Sequence, residues 1–144
     1  MHLQYEDFEK IMDIGIRLST EKDRNRLLMT ILDKGMEITN CDASTLYLYE
    51  NNELIFKYMK TLSMGVSRGM GGEIIDLPPV PMKEGNVCAY AALHREVVNI
   101  SDVYTSSRFD FSGPRQYDNL TGYRTQSQLV VPLANIENEL SGVL

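Results

Sequence analysis

With 144 residues the chain has the size of one ordinary domain, large enough to bury about two thirds of its unfolded surface without staples. Hydrophobic residues at 43% and charged residues at 24% sit near the globular average, which excludes disordered, collagen-like and coiled-coil arrays. Fourteen Lys and Arg against twenty Asp and Glu leave a formal charge of −6 with no basic cluster, which excludes a nucleic-acid-binding surface. Cys41 and Cys88 are too few for a disulfide framework, and no charged segment with an apolar core follows Met1, so a cytosolic, reduced protein is expected. The longest apolar runs, such as Leu129 to Ala134, stop far short of the roughly 20 residues that cross a bilayer, so no membrane partner is expected.

From Tyr5 to Leu18 the apolar residues Phe8, Ile11, Met12 and Gly15 recur at helical spacing between charged ones, which predicts an amphipathic first helix. That stripe is expected to cover a sheet, leaving Ile14, Ile16 and Leu18 for a second copy of the chain, with Ile14→Glu breaking the pair. Thr20-x-x-Asp23 resembles a capping box, and Leu27, Leu28, Ile31, Leu32 and Met36 carry a second helix from about Asp23 to Ile38. Ser44 to Tyr49, the polar turn from Glu50 to Glu53, and Leu54 to Thr61 read as an antiparallel hairpin, with Leu48 as a fully buried residue of a central strand. Leu62 to Pro81 is dense in Gly and Pro and reads as a long surface loop.

Ala89, Ala91 and Ala92 favour a short helix over Val87 to Leu93, followed by a strand over Val97 to Ile100. Ser101 to Thr125 is polar, dotted with aromatics and interrupted by Gly113-Pro114, so short helical turns alone are expected there. Gln128 to Leu133 and Leu140 to Leu144 read as two strands joined by a polar turn. This order fits an α+β fold, an antiparallel sheet with helices packed on it. The apolar ending Gly142-Val143-Leu144 is expected to continue in the natural protein.

Chemistry is sparse. With His2 and His94 the only histidines, and no paired cysteine motif, a metal site is not expected, and His94 reads as an exposed helix end rather than a base. The glycines at 69, 71 and 72 form neither a dinucleotide fingerprint nor a P-loop. Cys88, inside an alanine-rich helix, reads as a packing residue. Asp102 and Asp110 read as turn formers and caps.

Three stretches resemble a GAF domain, the small-ligand sensor found in cyclic-nucleotide phosphodiesterases, phytochromes and many bacterial signalling proteins. They are Cys41 to Leu48; Gly85 to Ala89 continuing into Val97 to Tyr104; and Thr121-Gly122-Tyr123-Arg124-Thr125-Gln126-Ser127 leading into Leu129 to Leu133, the last carrying the phosphodiesterase-like T-G-[YF]-[RK]-T signature. The resemblance implies a GAF-like fold over residues 1–144: a central antiparallel sheet of about six strands, an N-terminal dimerisation helix over 1–20, a core over 21–144, and a ligand pocket under a lid.

The resemblance also implies that Thr45, Val87, Cys88, Asp118, Thr121 and Thr125 line that pocket. Hydroxyls and helix N-terminal amides there would receive a phosphate, and Asp118 would accept from a base amine or order the lid. The chain departs from nucleotide-binding relatives in having Met59-Lys60 where a stacking Phe and an Asp are usual. It also carries a longer insert over 110–117 and lacks a Lys beside Asn99. The implied function is a bacterial, non-catalytic sensor of a small molecule, a cyclic nucleotide being a candidate, that controls a fused phosphohydrolase, cyclase or kinase and pairs through its first helix, with no cofactor required. The alternatives are a degenerate GAF that acts only in dimerisation, and a free methionine sulfoxide reductase, for which the lid offers no second cysteine.

Overall fold

A computed structural model describes residues 4–144, apart from the side chains of Tyr117 and Thr121. The elements run α1 (Tyr5–Thr20), α2 (Arg24–Thr39), β1 (Ala43–Glu50), β2 (Glu53–Thr61), β3 (Val66–Arg68), β4 (Val80–Pro81), α3 (Val87–His94), β5 (Val98–Ile100), α4 (Ser112–Thr121), β6 (Gln128–Val130), β7 (Pro132–Ala134) and β8 (Leu140–Val143). The fold is α+β. Its main antiparallel sheet has six strands in the order β3-β2-β1-β8-β7, with β4 added on β2, while β5 and β6 form a separate ribbon. The chain makes two compact units: one of residues up to Thr45 with Tyr58–Glu73, the other of Leu46–Lys57 with Ile74–Leu144.

The first unit holds α1 and α2. The cap of α2 is Asp23, whose Oδ1 accepts from the Arg26 amide at 3.0 Å, whereas Thr20 is the last residue of α1. Leu32 and Met36 bury the inner face of α2, and Tyr58, also buried, places its hydroxyl 3.3 Å from Asn25 Oδ1. The face of α1 is the reverse of the expected one. Ile14 and Leu18 are the half-buried apolar positions, while Phe8, Ile11, Met12 and Ile16 are exposed, Met12 by 68%. The apolar stripe of α1 therefore does not cover a sheet.

In the hairpin, Asn51 and Asn52 take φ of 51° and 62°, the left-handed pair that a two-residue type I′ turn needs and that asparagine tolerates best among non-glycine residues. The expected loop from Leu62 to Pro81 contains two short strands. β3 pairs with the end of β2, Met59 opposite Arg68, and β4 with its start, Leu54 opposite Val80. Both strands are too short for any period to reveal them.

In the second unit Leu46 and Leu54 are fully buried, but Leu48 is only half-buried, so the central-strand leucine is Leu46. Leu46→Ala is expected to cost about 2–5 kcal/mol, and Leu48→Ala clearly less. Urea midpoints at equal slope check the order, and a larger loss at Leu48 would contradict the register. The expected single strand from Gln128 to Leu133 is two. Val131 exchanges backbone hydrogen bonds with Leu144 at 2.7 and 2.9 Å, and the chain changes partner at Pro132, from β5 to β8. Proline lacks the N–H that a continuing ladder would use.

Candidate functional site

The segment from Ser101 to Ser127 does not consist of short turns. It contains the ten-residue helix α4, closed at its C-terminus by Gly122 at φ 76°. Gly113 and Pro114 fall in the first turn of α4, where a backbone N–H has no helical acceptor and proline's fixed φ suits the helix.

Asp118 organises this segment. Only 4% exposed, its carboxylate accepts three hydrogen bonds: from the Tyr104 hydroxyl at 2.6 Å and the Thr125 amide at 2.7 Å on Oδ2, and from Thr125 Oγ1 at 2.8 Å on Oδ1. The bond to Asp118 raises the pKa of Tyr104, because the phenol is held as a donor to a carboxylate. Guanidinium groups lie against the Tyr104 ring, Arg124 at 4.2 Å and Arg115 at 5.5 Å from its centre. A buried charge needs such company. Asp118 and Thr125 are thus joined, but they spend their polar capacity on each other and on Tyr104.

Val87 and Cys88 open α3 and are buried in one apolar cluster with Phe109 and Phe111. Phe111 is 1% exposed and meets Phe109 edge-on at 6.2 Å, while Phe109 meets Tyr90 at 5.0 Å. The Asp110 amide ties the segment to Gly85 O at 2.8 Å. Burial pushes the Cys88 thiol up to about 12, with the neighbouring Tyr47 hydroxyl opposing, so the thiolate is scarce at neutral pH. The α3 amides expected to take a phosphate are occupied: Asn86 Oδ1 accepts from Cys88 N at 2.9 Å and Ala89 N at 3.2 Å. Thr45 is half-buried on β1, in the first unit, and the Thr121 side chain lies outside the described residues.

Tyr104, Asn86, Arg115 and Arg124 are the partners that the sequence did not single out. Three of them had a signal: Asn86 precedes an alanine-rich helix as a good cap, Tyr104 ends a stretch that carries the resemblance, and Arg124 lies in the T-G-[YF]-[RK]-T signature. Among the described residues no cluster of three or more His, Cys, Asp or Glu could hold a metal, and no helix is long and apolar enough to cross a membrane. A cleft of about 300 Å³ lies along α1 and α2, lined by Arg17, Thr20, Glu21, Thr30, Asp33 and Lys34, none of them an expected site residue.

An antiparallel sheet combined with a helix, α3, packed against a folded covering segment defines the class as an α+β domain with a capped helix. A GAF domain model matches residues 23–144, and the chain belongs to the GAF family. It is 42% identical over 146 residues to the dual 3',5'-cyclic-AMP and -GMP phosphodiesterase 11A of Takifugu rubripes, covering 97% of this chain and 15% of that protein. It is 28% identical over 150 residues to the cGMP-specific 3',5'-cyclic phosphodiesterase of Drosophila virilis, covering 98% of this chain and 16% of that one. The chain thus spans under a fifth of these relatives' length. The GAF domain of an Acinetobacter phosphoenolpyruvate-protein phosphotransferase superposes with a TM-score of 0.68 at 13% identity, over 98% of this chain and 75% of that one, which shows the shared fold.

Proposed function

We propose that this GAF domain is the regulatory small-molecule sensor of a larger protein, with a cyclic nucleotide as candidate ligand and a fused phosphohydrolase, cyclase or kinase as output. The observation that carries this reading is the Asp118 latch. Three hydrogen bonds to one carboxylate brace the segment over α3 internally, and side-chain packing with the Asp110–Gly85 bond, rather than a strand ladder, seats it on α3, so it can move as a unit on a guest. The two phosphodiesterase relatives favour a cyclic nucleotide. In this reading the domain regulates and does not itself catalyse, and the high pKa of Cys88 argues against reductase chemistry.

The test is thermal unfolding with cyclic GMP and cyclic AMP. A ligand at a hundredfold its dissociation constant adds about 2.7 kcal/mol, or roughly 5–10 °C for a domain of this size. No shift with either nucleotide sinks the cyclic-nucleotide version.

A second reading, a domain whose pocket is filled by its own side chains and which serves assembly, is favoured by the burial of Phe111 beside Val87 and Cys88. Both readings include a homodimer through α1, supported by its exposed stripe of Phe8, Ile11, Met12 and Ile16. Since Ile14 is half-buried, the charge that breaks the pair belongs at Met12. Met12→Glu is expected to leave a monomer in sedimentation equilibrium at concentrations where the parent chain dimerises. A parent chain that stays monomeric, or a dimer that survives the change, would rule this interface out.

A further inference from the structure

The groups expected to read a guest are largely committed within the chain: Asp118 and Thr125 to the latch, and the first amides of α3 to Asn86. The β2 route is closed as well, because Met59 is buried and Lys60 Nζ is paired with Asp33 at 2.8 Å. Polar recognition must therefore come from elsewhere.

Two buried polar side-chain atoms have no hydrogen-bond partner among the described residues, Nε of Arg115 and Oε1 of Gln128. Buried polar atoms are nearly always bonded, since burial removes the water that would otherwise satisfy them, so an unmet donor and an unmet acceptor each call for a partner that the closed chain does not supply. Both residues abut the same short segment. Arg115 Nη2 donates to the carbonyls of Val103 at 2.9 Å and Tyr104 at 3.3 Å, which orients the guanidinium plane and leaves Nε–H unmatched. Gln128 opens β6 opposite Ile100 of β5, and the Val103 amide donates to Gln126 O at 2.8 Å, which fastens residues 100–104 beside it. The guanidinium is a permanent donor, whereas a glutamine amide can turn to accept or donate.

Building on the sensor reading above, we propose that Arg115 and Gln128 are specificity-determining residues that read a purine base, Arg115 Nε–H donating to a ring acceptor and Gln128 accepting from a base N–H. Arg115 lies within the 110–117 insert. The latch then has a separate role: Asp118 keeps the cover folded as one unit, and Arg115 and Gln128 decide which guest stays beneath it.

The experiment compares the whole chain with Gln128→Leu and Arg115→Lys by thermal unfolding, ligand-free and with cyclic GMP or cyclic AMP. Gln128→Leu removes the acceptor at similar volume. Its ligand-free melting temperature is expected to rise, and its affinity for the nucleotide that stabilises the parent chain to fall tenfold or more. Arg115→Lys keeps the charge but has no Nε–H, and is expected to weaken the same nucleotide about tenfold. An unchanged nucleotide shift in both variants overturns the proposal. A lower ligand-free melting temperature for Gln128→Leu overturns it too, because the acceptor would then already be matched. A parent chain that neither nucleotide moves defeats the purine assignment together with the cyclic-nucleotide reading. The ligand-free melting of Gln128→Leu then reports separately on whether the acceptor is unmet.

Discussion

Gly142→Ala is expected to destabilise the protein by about 3 kcal/mol or more. Gly142 sits on β8 opposite Leu48 of β1, and a Cβ there would run into the carbonyl oxygen of Tyr47, lying 3.2 Å from its carbonyl carbon and 3.4 Å from Leu48 Cα. These are backbone atoms held in a ladder, so neither can swing aside as a side chain would. Only a shift of β8 against β1 could make room. Gly15 provides the control. It lies inside α1, where an added methyl group would meet nothing within 4 Å, so Gly15→Ala should stabilise by about 0.5–1 kcal/mol through reduced freedom of the unfolded chain. Urea midpoints measured on both variants should move in opposite directions. A neutral Gly142→Ala would contradict the β1–β8 register.

The second large effect is at Phe111. Its ring packs in the cluster formed by Val87, Cys88, Ala91, Val103 and Phe109, so Phe111→Ala should cost about 3–5 kcal/mol, while Phe111→Leu should cost well under half of that. Phe111 is also the N-cap residue of α4, the helix that carries Asp118. Loss of the ring is therefore expected to loosen the cover as well as the core, seen as faster proteolysis within residues 101–127 than at the exposed turn of Asn51 and Asn52. A loss below about 1 kcal/mol would mean that the ring is not the filling of this core. Asp118→Ala carries a related consequence. A buried carboxylate with three donors cannot be removed without leaving some of them unmatched, so measurable destabilisation is expected from this change.

The parts of the fold that could be read from the sequence are those where many residues vote for one period. α1, α2 and the β1–β2 hairpin each extend over eight or more residues, and their bounds fall within a residue or two of expectation. α3 was legible from its alanines. What was hidden depends on single residues or on distant partners. Gly113-Pro114 read as breakers because their position relative to the helix start was unknown, and in the first turn they are tolerated. Pro132 divides an apolar run between two sheets, a choice made by β5 and β8 rather than by the run itself. The orientation of α1 was misjudged because an amphipathic stripe states that a face is apolar, not what covers it.

The site follows the same logic. Thr125 lies in the T-G-Y-R-T signature and Asp118 was pointed to by the resemblance alone, while the bond that joins them across the end of α4 was pointed to by neither. Tyr104 lies fourteen residues before Asp118 and reaches it only because the segment folds back. Arg115 and Gln128 gave no signal, as an unmet buried atom is visible only once burial is known.

The most direct test of the sensor account is amide hydrogen exchange across the whole chain, with and without saturating cyclic GMP or cyclic AMP. The account predicts that one nucleotide slows exchange over residues 101–127 and the start of α3, including the Thr125 amide bonded to Asp118, and leaves α1 unchanged. Exchange that is identical in all three conditions throughout those residues would contradict it.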